Sequence, residues 1–122
     1  MSEVNDIVNH PSHYTDGPIE CYEITKYMDF TTGSMVKYLY RWQNKEYPET
    51  DLKKALWYAE HLNLEMTSYL VTHVSQIQSG LKLLEDNDWL GLGNIWSELR
   101  TGNIKDMIAE LELFVYFHKL RT

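Results

Sequence analysis

The chain has 122 residues, enough for one domain with a single core and too few to cover two. Its composition, 43% hydrophobic and 24% charged with six Gly and three Pro, excludes extensive disorder. Eighteen acidic residues against eleven basic ones leave a formal net charge of −7, which opposes binding to duplex nucleic acid because phosphate neutralisation needs a basic surface. The lone Cys21 excludes an intrachain disulfide and a Cys-rich zinc site.

Residues 1–18 are polar and turn-rich, with Asn9, Pro11, Asp16, Gly17 and Pro18, and read as an extended N-terminal arm. From Pro18 the pattern turns helical. Cys21, Ile24 and Met28 recur at spacings of three and four and predict a short helix over about residues 19–29. Thr32 is placed to cap a second helix whose buried stripe is Met35, Leu39 and Trp42 and which ends before Pro48. Thr50 or Asp51 then opens a third, with Leu52, Ala55, Leu56, Ala59, Leu62, Met66, Tyr69, Leu70, His73 and Ile77 along one face and no Pro or Gly before Gly80. If continuous, this long central helix is on the order of 40 Å, so either it breaks near Thr67 to Thr72 or another subunit packs on it. Asn87-Asp88 and Gly102-Asn103 bound a short helix around Ile95, Trp96 and Leu99. A last helix runs from about Ile104 to Leu120 and is apolar on all sides from Leu113 to Phe117, the pattern of a segment buried all round.

The expected fold is therefore all-α, one compact helical domain over residues 1–122. It consists of the arm, a region over 19–62 that carries the chemistry, and a helical region over 63–122 that serves as an oligomer interface. The surface left by the long helix and the terminal helix predicts a homo-oligomer built from dimers. No apolar run approaches the roughly 20 residues of a membrane span, and the first twenty residues have no basic start leading into an apolar run. A cytoplasmic location, with no membrane partner, is expected.

The chemistry lies between residues 10 and 58. Residues four apart on a helix advance about 6 Å and drift about 40°, so Lys37, Arg41 and Lys45 form a row opposite the apolar stripe that suits a phosphate chain. On the next helix, Asp51, Lys54, Tyr58 and His61 follow one course away from Leu52 and Ala55. Arg offers a two-pronged phosphate contact, Lys a point charge, and Tyr or Trp a stacking surface for a base. Together they point to an anionic ligand that bears a ring, and a nucleotide has both features. The plainer alternative is a solvated charged face with ordinary ion pairs. His10 and His13 have metal-binding side chains at a workable spacing, although two His on a loop without a third ligand more often serve as polar surface.

The segment Asn9-His10-Pro11-Ser12-His13-Tyr14, with Gly17, Ile19-Glu20, Gly33-Ser34, Lys37-Tyr38, Arg41, Lys45 and Asp51-Leu52-x-Lys54-Ala55-x-Trp57-Tyr58, resembles the signature of a small phage and prophage family. That family is catalogued as a domain of unknown function, number thirty-three-ten, and often described as nucleotide kinase. The resemblance spans about residues 4–62. It implies a phage protein, working in the host cytoplasm, that acts on nucleoside monophosphates without a P-loop, and this chain contains no P-loop motif. Members commonly have Gly-Asn where this chain has Gly33-Ser34.

The site expected on these grounds comprises His10, His13, Tyr14, Lys37, Tyr38, Arg41, Lys45, Lys54, Trp57 and Tyr58 for the nucleotide. Asp51 and Glu20 are the candidates to hold Mg²⁺. Three function classes follow: a nucleotide kinase or related enzyme of nucleotide metabolism, with the arm closing over substrate; a binder that sequesters a host or signalling nucleotide; and a phage factor that binds only protein. An all-α pyrophosphohydrolase needs two clusters of helix carboxylates; Glu20-x-x-Glu23 offers one, and Glu46-x-x-Glu49 straddles Pro48.

Overall fold

A computed structural model describes residues 17–43 and 48–121. Among them the chain is all-α: α1 (Cys21–Thr25), α2 (Phe30–Arg41), α3 (Pro48–Glu60), α4 (Leu64–His73), α5 (Ser75–Asp86), a 3-10 turn at Trp89–Gly91, α6 (Gly93–Arg100) and α7 (Ile104–Arg121). No helix among the described residues is long and apolar enough to cross a membrane.

The cap of α2 is Asp29, whose side chain accepts from the Thr32 backbone N–H. Thr32, expected at that boundary, lies instead inside the helix. It is fully buried, with its hydroxyl 2.8 Å from that of the equally buried Thr67. The hydroxyl pair lets two polar groups enter the core at little cost, because each satisfies the other. Pro48 does not merely follow α2; it opens α3, where its missing N–H is one of the donors a first helical turn leaves unpaired anyway. Asp51 consequently sits in the first turn of α3 rather than capping it.

The long central helix is not continuous. It breaks after Glu60 and again at Val74, just past the Thr67 to Thr72 stretch near which a break was one of the two expectations. Asn63 caps α4 by accepting from the Met66 N–H at 3.1 Å, and Val74 adopts extended backbone between α4 and α5. Each break resets the helical phase. Leu52, Ala55, Ala59 and Leu62 are buried as the periodicity demands, but in α4 the buried residues are Thr67 and Val71, while Met66, Tyr69 and His73 face solvent. Gly80, which looked like a terminator, is inside α5. A Cβ there would lie 2.5 Å from Ile24 Cγ1, so the glycine lets α1 seat against α5.

Packing closes a ring: α1 lies against α2 and α5, α2 pairs with α3, α5 with α6, α6 with α7, and α7 returns to α3, with α4 against α5, α6 and α7. The centre is filled by Met35, Leu39 and Tyr40 from α2, Leu52 from α3, Leu81 from α5, and Trp96 and Met107 from α6 and α7. The turn after α5 braces the end of α2. Asp88 and Leu90 both hold positive φ, 44° and 57°, a conformation costing roughly 1–2 kcal/mol per residue with a side chain. It is offset by contacts the turn alone permits: Asp88 Oδ1 accepts from Gly93 N–H, the Trp42 indole donates to the Leu90 carbonyl, and the Trp89 indole donates to the Tyr40 carbonyl.

In α7 the all-round apolar segment divides into two faces. Phe114 and Val115 are half-buried, with Phe114 edge-on to Trp42 at 5.3 Å, whereas Leu113, Tyr116 and Phe117 are each more than half exposed. The loss of the long helix removes one of the two grounds for expecting an oligomer. The exposed face of α7 keeps the other.

Candidate functional site

The short connection between α2 and α3 makes them a helical hairpin and brings Arg41 and Asp51 together. Arg41 Nε lies 3.3 Å from Asp51 Oδ2, and Nη2 donates to Oδ1 at 3.3 Å, with the side chains 16% and 5% exposed. Both carboxylate oxygens therefore face the guanidinium, and Asp51 is not open to a metal in the way the sequence suggested. Glu20 stands at the N-terminal boundary of α1. No group of three or more His, Cys, Asp or Glu side chains among the described residues is placed to hold a metal ion. Among the described residues Asp51 is engaged by Arg41, and neither Asp51 nor Glu20 is part of any group of three or more such ligands.

One turn back from Arg41, the Tyr38 ring stacks on Tyr58 of α3, with centroids 5.9 Å apart and planes 11° apart. Three cations surround that ring: Arg41 Cζ at 5.2 Å, Lys54 Nζ at 5.3 Å and Lys37 Nζ at 5.7 Å from its centroid. Helical spacing delivers this convergence, since Arg41 is three residues from Tyr38 and Tyr58 is four from Lys54. Of the expected row of Lys37, Arg41 and Lys45, the first two do share a face, but Arg41 is committed to Asp51 as well.

The aromatic set continues outward. Phe30 meets Tyr58 edge-on at 6.1 Å, and Trp57 meets it edge-on at 5.1 Å. Trp57 stacks on His61 at 3.9 Å, and His61 Nδ1 lies 2.7 Å from the Trp57 carbonyl. Phe30 and Trp57 are 78% and 55% exposed, which is unusual for rings of that size so close to a packed helix pair. Lys37 and Lys54 are exposed beside them. The result is an open face with positive charge over Tyr38 and bare rings at its margin. Phe30 was not singled out in the sequence, because it falls in the first turn of a helix whose start was placed at Thr32.

His10, His13, Tyr14 and Lys45 lie outside the described residues. The point where the arm enters the fold is nonetheless fixed. Gly17 N–H donates to Tyr40 Oη at 2.8 Å, and Tyr40 Oη donates to the Ile19 carbonyl at 2.8 Å. A Cβ on residue 17 would lie 2.6 Å from that hydroxyl, so Gly17 is needed for the close approach. Tyr40 is fully buried and was not expected in this role; the only hint was its position beside Leu39 on the apolar side of α2. Cys21 is buried at the start of α1, and burial pushes its thiol up to about 12, although Lys37 acts in the opposite direction. A thiol so protonated is no nucleophile.

Residues 8–60 match the model of the protein family DUF3310, described as a protein of unknown function. Over this stretch, which covers α1 to α3 and almost all of the ring and cation cluster, the chain is similar to that family. The family's description assigns no activity, and the match does not extend to α4 to α7. No curated protein and no solved structure matches the chain.

Proposed function

We propose that this protein binds a nucleotide on the α2–α3 face, with Lys37 and Lys54 neutralising phosphate and Trp57 stacking on the base. The observation that carries the reading is the Tyr38 ring with three cations within 6 Å of its centroid, in a chain whose net charge is −7. Asp51 offsets Arg41; Lys37 and Lys54 add charge on the same ring, next to aromatic surface that the core does not use. A phosphate contact from an ammonium contributes roughly 1.5–3 kcal/mol, and stacking on an exposed ring about 1–3 kcal/mol per base. One such contact and one stack reach only about 6 kcal/mol at most, short of the roughly 8 kcal/mol of micromolar affinity, so both lysines and the ring have to act together.

Phosphoryl transfer rests on the family resemblance alone, because the hairpin's buried carboxylate is held by Arg41. A sequestering binder requires only the contacts just described and is the reading the geometry favours. Thermal melting against a panel of deoxynucleoside mono-, di- and triphosphates, with and without Mg²⁺, tests it: a ligand at 100 times its dissociation constant stabilises by about 2.7 kcal/mol. A shift that is lost in Lys37→Ala and Lys54→Ala supports the site, and no shift with any nucleotide rejects it. Separation of the nucleotides after incubation with Mg²⁺ then decides between sequestration, with no product, and kinase activity, with new di- or triphosphate.

A further inference from the structure

Two rings stand bare on the α2–α3 face, where a single base needs only one. Phe30, in the first turn of α2, is the most exposed large apolar side chain among the described residues, and Trp57 of α3 is more than half exposed. Both meet the Tyr58 ring edge-on, at 6.1 and 5.1 Å between centroids, a contact that covers less of a ring than a stack does. His61 lies flat on one face of Trp57 at 3.9 Å. Its Nδ1, 2.7 Å from the Trp57 carbonyl, carries the proton, because a carbonyl only accepts. That bond pins the imidazole and leaves Trp57 one face for a base. Lys37 and Lys54, from different helices, converge on the Tyr38 ring, which itself stacks on Tyr58. Two ammoniums and two bare rings are thus joined through one pair of stacked tyrosines.

Successive bases of a single strand stack on successive exposed rings while cations track the phosphates between them. Resting on the nucleotide reading of this face, we infer that its ligand is a dinucleotide, two bases joined through a phosphodiester and carrying two phosphates in all. One base stacks on Trp57 and the other on Phe30, and the phosphates meet Lys37 and Lys54. A nucleoside diphosphate brings the same two phosphates but a single base, and leaves one of the two rings in water. A longer strand adds phosphates that the face does not match, since Asp51 already offsets Arg41 and the chain's net charge of −7 opposes them. A linear dinucleotide with a 5′-phosphate and a cyclic dinucleotide share the required chemistry.

The test is calorimetric titration of the full-length protein with three probes: dADP, the 5′-phosphorylated dinucleotide of deoxyadenosine, and cyclic diadenylate. Adenine serves because stacking tolerates any base. At least one of the two-base probes should bind about tenfold or more tighter than dADP, the gain expected from seating a second base. Which of them does so tells a strand end from a cyclic dinucleotide. Phe30→Leu should bring that ratio close to one, whereas Phe30→Tyr, which keeps the ring, should preserve it. The position is exposed, so both variants should melt with the wild type, which separates lost stacking from misfolding. If dADP binds as tightly as both dinucleotides, or the ratio survives Phe30→Leu, the second base has no seat on Phe30; that overturns the dinucleotide and leaves the nucleotide site standing. Binding of none of the three overturns both.

Discussion

Replacing Arg41 by Ala separates the structural part of the cation cluster from the part proposed to bind ligand. Arg41 and Asp51 are 16% and 5% exposed, and both carboxylate oxygens are at ion-pair distance from the guanidinium. Truncating Arg41 leaves Asp51 buried without its counter-charge, a change that typically costs about 3–5 kcal/mol; the residual exposure of Arg41 places this case near ~3 kcal/mol. Against a total stability of roughly 5–15 kcal/mol, the loss is large, equivalent to a fall in melting temperature of about 10–15 °C for a domain of this size. Lys54→Ala, at an exposed position on the same ring, should stay within about 0.5 kcal/mol of wild type. Arg41→Met combined with Asp51→Leu removes both charges and should recover most of the loss, since an apolar pair of similar size can replace a buried ion pair. Urea unfolding of the four proteins is the assay. An Arg41→Ala variant within 1 kcal/mol of wild type, judged against the ~1 kcal/mol upper value for an exposed pair, would show that the ion pair is a surface ornament and that Asp51 is free for another role.

Other consequences are as direct. Gly80→Ala should destabilise by about 1–3 kcal/mol, despite the gain of up to about 1 kcal/mol in helix propensity, because its Cβ would press on Ile24 Cγ1 at 2.5 Å; chemical denaturation reads the sign. Burial holds the Cys21 thiol at about 12 against an ordinary 9.0. Its contribution to stability is therefore complete below pH 9.0 and is lost as pH rises toward 12. Cys21→Ala should show a smaller alkaline decline, and the native thiol should resist Ellman's reagent at pH 8, below the ordinary value of 9.0, until the protein is unfolded. Glu85 receives 2.8 Å and 3.4 Å hydrogen bonds from Arg100, and this donor, ahead of Lys82, holds its carboxyl below the usual carboxylate range. The stabilisation is present above the ordinary glutamate pKa and disappears as the pH falls through the lowered one. Arg100→Ala should accordingly lose stability at neutral pH and show a shallower acid-unfolding slope.

The order of elements was legible because periodicity marks a helix wherever one face is buried. Met35 and Leu39, Leu52 and Ala55, and Met107 and Leu111 all fall where their spacing put them. The breaks were harder to see. Asn63 and Val74 interrupt a pattern whose apolar residues continue across both, so only a cap and a stretch of extended backbone reveal the phase change. Gly80 misled for a related reason, since sequence alone does not distinguish a glycine that ends a helix from one that admits a neighbouring helix. In the site, only the shared face of Lys37 and Arg41 on α2 and the separate course of Lys54 and Tyr58 on α3 followed from helical spacing. The capture of Asp51 by Arg41 did not, because it depends on where α3 starts, and Pro48 starts it earlier than Thr50 or Asp51 would.

The claim of a nucleotide site on the α2–α3 face is tested most directly through the indole N–H signals of the four tryptophans. Trp42, Trp89 and Trp96 donate to the carbonyls of Leu90, Tyr40 and Trp89 respectively, in packed surroundings, whereas Trp57 is 55% exposed at the margin of the cation cluster. Proton–nitrogen spectra recorded during a titration with a deoxynucleoside monophosphate should move the Trp57 indole and the amides around Lys37, Tyr38 and Lys54 together, with one dissociation constant, and leave the other three indoles in place. A spectrum unchanged at millimolar nucleotide, beyond which binding is weaker than about −4 kcal/mol, or one that moves only residues away from this hairpin, would contradict it.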